Sequence, residues 1–134
     1  MVRKEDGFTL IEVLIAMSIV GILAAIAIPL YGNTLEQSRG NEAKAILSTI
    51  YTAEKIYRVN NAVFWNGGAS PPIDTINSTL STDIDPPQYY NISSITATAG
   101  TTFTAFATRI SGTTTYYVYY GVGGKTDGVV YTPS

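Results

Sequence analysis

Hydrophobic residues are concentrated in one long run near the N-terminus of this chain. Between Phe8 and Ile28, 21 consecutive residues contain a single charged side chain, that of Glu12. A helix of this length would be about 31 Å long, enough to cross the hydrocarbon core of a membrane. Arg3 and Lys4 precede the run, so the positive-inside rule predicts a single-pass protein of the cytoplasmic (inner) membrane with its N-terminus in the cytoplasm.

Beyond this run, hydrophobic residues recur at steps of three and four, which is the spacing of an amphipathic helix. They are Leu35, Ala43, Ile46, Leu47, Ile50, Tyr51, Ala53 and Tyr57. The pattern predicts an apolar helix over residues 8–33 followed by an amphipathic helix over residues 34–58. Glu54 and Arg58 are expected to support its polar face as an i, i+4 pair. Gly40 is expected to weaken or bend this helix.

The rest of the chain, residues 59–134, predicts a connecting loop and a β head. Residues 60–91 are rich in Asn, Gly, Ser, Pro and Asp, which favours a long loop. Four later segments rich in Thr, Tyr, Val and Ile predict a small three- or four-stranded antiparallel sheet laid on the second half of the helix. These segments are residues 92–97, 102–110, 115–122 and 129–132. The expected fold class is therefore α+β.

The strand patterns leave the register of the sheet open. The expected inward residues are Ile92 or Ile95, Phe103, Ala105, Tyr117 or Val118, and Val129 or Val130. The run from Tyr116 to Tyr120 also suggests an electron-conducting stripe or a sugar-binding surface, but alternating burial and cross-strand pairing explain it more simply. Two sequons, beginning at Asn77 and Asn91, would accept glycans if they were exposed.

Composition narrows the chemistry that this chain can perform. It contains no cysteine and no histidine, which excludes disulfides, thiolate sites, imidazole metal sites and histidine-based catalysis. The net charge is −2 with only eight basic residues, so nothing predicts direct nucleic-acid binding. Asp74, Asp83 and Asp85 lack the spacing of a calcium loop and are interpreted as solvated loop acids. We therefore expect no enzyme activity, catalytic residue, metal or cofactor.

The N-terminal motif carries a more specific signal. A short charged leader is followed by Gly7 and Phe8, a glutamate four residues beyond Phe8, and an apolar helix containing Gly21 and Pro29. This combination resembles the class III signal of type IV pilins, pseudopilins and related filament proteins, over roughly residues 1–58. An ordinary secretory signal cut near residues 24–27 is the alternative, but the apolar run is long for one.

The resemblance implies a defined processing and assembly route. A prepilin peptidase would cut between Gly7 and Phe8, removing residues 1–7 as a leader, and Phe8 would become N-methylated. Glu12 would then pair with the Phe8 ammonium of a neighbouring subunit; otherwise it would reach the lipid headgroups or be protonated. Proline lacks a backbone donor, so a kink or unwound segment is expected between Gly21 and Pro29.

The favoured function is therefore the major structural subunit of a type IV pilus, serving adhesion, motility or DNA uptake. Its expected partners are identical subunits, the prepilin peptidase and an inner-membrane assembly platform, and the assembled fibre would be extracellular or periplasmic. One alternative is the major pseudopilin of a type II secretion system, whose relatives often bind calcium in a C-terminal loop, where only Asp127 is a candidate. Another is a membrane-tethered carbohydrate-binding module using tyrosines and Trp65.

Overall fold

The computed structural model describes residues 7–98, 100–123 and 126–132. Its elements, in chain order, are α1 (Leu10–Asn61), β1 (Gly68–Ala69), α2 (Ile73–Leu80), β2 (Tyr90–Thr98), β3 (Thr102–Arg109), β4 (Thr115–Tyr120) and β5 (Val130–Tyr131). The chain divides after Ser38 into two units, which we call the stem (up to Ser38) and the head (from Arg39). A long helix followed by an antiparallel sheet confirms the predicted α+β class.

The head contains a five-stranded sheet in which neighbours along the chain are neighbours in space. Its strand order is β1-β2-β3-β4-β5, and every pair is antiparallel. The predicted sheet had three or four strands. The four predicted segments correspond to β2, β3, β4 and β5. The additional strand is β1, Gly68–Ala69, whose two residues are too few to show an alternating pattern in the sequence.

The prediction of a long loop over residues 60–91 is wrong in part, because β1 and α2 lie inside it. This helix has eight residues and buries Ile76 and Leu80 against the core. It ends at Ser81, whose left-handed backbone (φ 53°) stops the helix. Prolines and aspartates on either side conceal the short apolar spacing that would have revealed it.

The core of the head lies between the second half of α1 and one face of the sheet. The helix contributes Ala43, Ile46, Leu47, Ile50 and Ala53, and the sheet contributes Ile92, Ile95, Phe103, Ala105, Ala107 and Val118. A break in the β2 register between Ile92 and Ser94 explains why both Ile92 and Ile95 are buried, since regular alternation would place them on opposite faces. The strand patterns also left two other choices open, Tyr117 or Val118 and Val129 or Val130. In the structure, Val118 and Val130 are the residues that face the core.

Gly40 has a packing role that the sequence did not reveal. It is buried on α1, and a β-carbon at this position would collide with the Tyr116 hydroxyl of β4. The Tyr116 ring is held in place by an edge-on contact with Tyr90, with ring centroids 5.4 Å apart. The missing side chain therefore allows the sheet to approach the helix closely.

The predicted position of Glu54 on the polar face of α1 is wrong. Glu54 is fully buried, and its Oε2 accepts a hydrogen bond of 3.0 Å from the Trp65 backbone N–H. Its Oε1 is also buried, and no hydrogen-bond partner for it is found among the described residues. Burial raises the pKa of this carboxyl to about 7, and the Trp65 N–H opposes part of the shift.

The cations nearest Glu54 in the sequence lie over aromatic rings. The Arg58 guanidinium is 4.8 Å from the centroid of the Phe64 ring and 5.4 Å from that of Tyr120. The Lys55 ammonium lies 5.5 Å from the centroid of the Tyr51 ring. Arg58 is therefore part of the aromatic layer that closes this end of the head, rather than the helix-face partner that the sequence suggested.

The two sequons have different surroundings. The Asn77 amide nitrogen donates to the Ile84 carbonyl, and its Oδ1 accepts hydrogen bonds from the Ile84 N–H and the Thr82 hydroxyl. Asn91 is exposed on β2. Asn77 thus fastens the α2–β2 connection and is half-buried, whereas Asn91 is exposed.

Candidate assembly site

The predicted processing residues lie just before the stem helix. Gly7 and Phe8 precede α1, which begins at Leu10, and both are exposed, Phe8 at 88%. A protease that acted at the Gly7–Phe8 bond would therefore meet non-helical backbone, with no glycine side chain in the way. The rest of the predicted leader, residues 1–6 with Arg3 and Lys4, lies outside the described residues.

Thr9 and Glu12 form a capping box at the start of α1. Glu12 Oε2 accepts 2.8 Å hydrogen bonds from both the Thr9 backbone N–H and the Thr9 hydroxyl. In return, the Thr9 hydroxyl oxygen accepts a 3.3 Å hydrogen bond from the Glu12 N–H. These bonds satisfy backbone donors that the first turn of a helix leaves without intrahelical partners.

This geometry gives Glu12 a local role that the sequence analysis missed. The signal was present as Thr9-x-x-Glu12 before an apolar run, the spacing of a capping box. Both side-chain bonds use Oε2, so the cap leaves Oε1 available for a second partner. Glu12 can therefore cap its own helix and still meet a cation from a neighbouring chain.

The stem presents an apolar surface on all sides. An 18-residue window of α1 reaches a mean hydropathy of 2.7 with none of it buried, which is long and apolar enough to cross a membrane. Large side chains that are more than half exposed include Leu10, Ile11, Leu14, Ile15, Met17, Ile19, Val20, Ile22, Leu23, Ile26 and Ile28. A shallow groove beside Glu12 includes the small residues Ala16 and Gly21, where another helix could approach closely.

The predicted break between Gly21 and Pro29 does not appear as unwinding in this chain. α1 continues through both residues, with Pro29 inside the helix. Proline still removes the hydrogen bond that would run from position 29 to the Ala25 carbonyl. The segment is therefore helical but has one fewer hydrogen bond than its neighbours, and its unwinding in a filament stays a prediction.

The N-terminal sequence is similar to those of several known proteins. Residues 2–28 match the family described as the prokaryotic N-terminal methylation motif. The type IV major pilin protein PilA of Myxococcus xanthus is 51% identical over 54 residues, covering 40% of this chain and 24% of the relative. The type IV major pilin protein PilE1 of Neisseria gonorrhoeae is 37% identical over 75 residues, covering 52% of this chain and 46% of the relative.

A secretion-system relative matches over a similar length. The type II secretion system core protein G of Pseudomonas aeruginosa is 34% identical over 62 residues, covering 46% of this chain and 44% of the relative. Over its N-terminal segment, the chain is similar to type IV major pilins and to a type II secretion system core protein. It spans less than half the length of each of these relatives, and no solved structure matches it significantly.

In this pilin-like chain, Asp127 holds a loop of the head in place. Its Oδ1 accepts a 2.8 Å hydrogen bond from the Gly121 N–H. The next residue, Gly128, donates to the Tyr119 carbonyl at 3.1 Å and lies against the Tyr51 ring, where its φ of +76° and the close ring favour glycine. One carboxylate oxygen of Asp127, the candidate calcium ligand of the pseudopilin alternative, thus already accepts a hydrogen bond from the protein backbone.

Trp65, which the sequence suggested as a sugar-gripping residue, is part of the head packing. Its ring lies against Gly67, and the side chain packs against the buried core of the head. The exposed loop acids Asp74, Asp83 and Asp85 lie on α2 and on the α2–β2 connection. The structure therefore places the candidate assembly residues of the stem and the aromatic and acidic candidates of the head in separate units.

Proposed function

We propose that this chain is the major structural subunit of a type IV pilus, with a structural rather than a catalytic role. The observation that carries this proposal is the stem, an apolar helix whose side chains are exposed on all sides in the single chain. Outside lipid, such a surface must be covered, and copies of the same helix provide a matching apolar surface. The identical subunits would form the fibre that serves adhesion, motility or DNA uptake.

Processing provides the order of events in this proposal. The precursor resides in the inner membrane with its N-terminus in the cytoplasm, and a prepilin peptidase cuts the exposed Gly7–Phe8 bond. The new Phe8 amino group is methylated and pairs with Glu12 of a neighbouring subunit on the assembly platform. A carboxylate in apolar surroundings is costly when unpaired, so wrong axial offsets between helices are disfavoured.

A second candidate is the major pseudopilin of a type II secretion system. The match to the Pseudomonas aeruginosa protein G supports it, because it covers nearly the same share of this chain as the pilin matches do. The two candidates share the apolar stem and its Glu12, and they differ in whether the fibre extends beyond the cell surface. A pilus subunit is recovered in fibres sheared from the cell surface, whereas a pseudopilin stays in the cell envelope.

Mass spectrometry of sheared surface fibres tests the proposal directly. We expect the subunit in these fibres to begin at Phe8 and to carry one methyl group on its amino nitrogen. A subunit that retains residues 1–7 would contradict the processing step. Recovery of a processed, methylated subunit only in the envelope fraction would favour the pseudopilin.

The capping box makes substitutions at Glu12 more informative. Glutamine can replace glutamate in a capping box, whereas alanine cannot, and neither carries a charge. We expect both Glu12→Gln and Glu12→Ala to be cleaved yet fail to enter fibres. Glu36→Ala, at an exposed acid further along α1, is the matched control and should assemble normally. Normal fibres from Glu12→Gln would show that Glu12 acts only as a helix cap.

A further inference from the structure

The outer face of the sheet, turned away from α1, carries a row of aromatic side chains across three strands. Phe106 on β3 is paired with Tyr117 on β4, which is paired with Tyr131 on β5. The Tyr117 and Tyr131 rings are nearly parallel, with centroids 5.7 Å apart and an angle of 14° between their planes. The Phe106 centroid lies 5.9 Å from that of Tyr117. All three residues are partly exposed, so solvent reaches this aromatic row.

Hydroxyl groups lie on both sides of the aromatic row. On one side, the Thr108 hydroxyl donates to Ser93 Oγ at 3.0 Å and lies 3.2 Å from the Thr115 hydroxyl, which links three strands. On the other side, Thr104 is paired with both Thr96 and Tyr119. The sheet therefore presents aromatic rings between two hydroxyl rows.

This outer face carries no charged side chain on its described strands. Its members are Ala69, Asn91, Ser93, Ser94, Thr96, Thr98, Thr102, Thr104, Phe106, Thr108, Thr115, Tyr117, Tyr119 and Tyr131. An uncharged surface gives no electrostatic attraction to a nucleic acid or an anionic membrane. The ligand that fits it is neutral, has flat C–H faces for the rings, and carries many hydroxyls for the flanking rows.

From this combination we infer that the outer face of the head sheet binds neutral carbohydrate, with Phe106, Tyr117 and Tyr131 as the stacking platform. Sugar rings present apolar C–H faces to aromatic side chains and hydroxyls at their edges. This activity goes beyond the filament role and does not depend on it, because the face lies wholly within the head. A second copy of the chain covering this face is the competing occupant.

Sedimentation with insoluble polysaccharides tests this inference on the full chain. The protein is held in a polyoxyethylene detergent, because detergents with sugar headgroups would compete for the site. Cellulose, amylose and chitin serve as neutral probes, and cross-linked alginate serves as the anionic probe. We expect at least one neutral probe to retain the chain and alginate not to retain it. High salt should leave the retention unchanged, because no charge pair is involved.

Substitutions assign the binding to the aromatic row. Tyr117→Thr keeps a strand-forming residue but removes the central ring, and it should weaken retention about fivefold to tenfold. Tyr117→Phe keeps the ring and should stay within about twofold of the original chain. Tyr89→Thr removes an exposed tyrosine on another part of the head and should have no effect.

Failure of all three neutral probes to retain the chain would overturn the inference. Retention that survives Tyr117→Thr would also overturn it. Phe106→Thr provides a second test on the same row, and the fluorescence of Trp65, which lies on the core side, reports whether each variant is folded. Dimers of the full chain that Tyr117→Thr separates, without polysaccharide binding, would instead assign the face to a second copy.

Discussion

At Glu54, a carboxyl group is buried in an apolar layer and accepts a hydrogen bond from the Trp65 N–H. Its pKa in the folded chain is about 7, above the usual value of 4.5. A carboxyl whose pKa is raised by folding stabilises the fold most below its unfolded pKa. That contribution is lost as the pH rises through the folded pKa. We therefore expect the head to lose stability between about pH 5 and pH 8.

Glu54→Gln should remove this pH dependence. Glutamine keeps a carbonyl oxygen to accept the Trp65 N–H and carries no charge at any pH. We expect the variant to match the original chain near pH 5 and to exceed it by about 2–3 kcal/mol in free energy of unfolding near pH 8. The single tryptophan, Trp65, reports unfolding by fluorescence. Parallel pH profiles for the two proteins would contradict a buried titrating carboxyl.

Thr9 allows the helix cap to be separated from the charge of Glu12. Thr9→Val removes the hydroxyl that accepts the Glu12 N–H, at a cost of about 1 kcal/mol to the first turn. Amide exchange at Glu12, measured by NMR in micelles, should therefore become about fivefold faster. Thr9→Ser should restore slow exchange. Ser18→Ala is the control, because the Ser18 hydroxyl donates to the Leu14 carbonyl within the same helix and lies away from the cap.

At the scale of elements, the contact between α1 and β4 depends on Gly40 and Tyr116. Gly40→Ala places a methyl group against the Tyr116 hydroxyl and should cost about 1–2 kcal/mol of stability. In a Tyr116→Phe background the hydroxyl is absent and the remaining contact, with the ring Cζ at 3.1 Å, requires only a small shift of the ring. Alanine's usual helix advantage over glycine, up to about 1 kcal/mol, then offsets this shift. The same substitution should then be neutral or stabilising.

Thermal unfolding of the two single variants and the double variant measures how the effect of Gly40→Ala on stability changes when the Tyr116 hydroxyl is absent. A double-mutant cycle gives the interaction between the two positions directly. Equal effects of Gly40→Ala in both backgrounds would show that the hydroxyl does not limit the approach of the helix to the sheet. Equal effects in both backgrounds are what the sequence analysis predicts, since it expected Gly40 only to weaken or bend the helix.

At the scale of the whole molecule, the stem and the head differ in how their apolar side chains are covered. The head buries its apolar residues within one chain, whereas the stem exposes nearly all of its own. In our proposal the stem is completed only by lipid or by other subunits. The residues around Pro29 are where the change of surroundings should have the largest effect, since one helical hydrogen bond is already missing there.

Hydrogen exchange on assembled fibres should show this effect. We expect amides between Gly21 and Pro29 to exchange faster than those on either side, because the helix unwinds there in the fibre. Pro29→Ala restores a backbone donor and should slow this exchange about tenfold or more. Uniformly slow exchange across the stem of the original fibres would contradict unwinding.

Local pattern was sufficient to predict much of this protein. The apolar run, the amphipathic stripe from Ala43 to Ala53 and the long strands β2, β3 and β4 follow from residue spacing, since hydrophobic periodicity depends only on neighbours in the chain. The capping box of Thr9 and Glu12 was also readable, because its partners are three residues apart.

Contacts between distant residues were decided only by the tertiary structure. The burial of Glu54 depends on a backbone N–H eleven positions away, and the role of Gly40 depends on a hydroxyl from β4. The aromatic row exists because strand register aligns Phe106, Tyr117 and Tyr131, and one shifted residue would have turned a strand's side chains to the other face. The sequence alone determines periodicity and short-range bonds; register and burial arise when separate elements exclude water together.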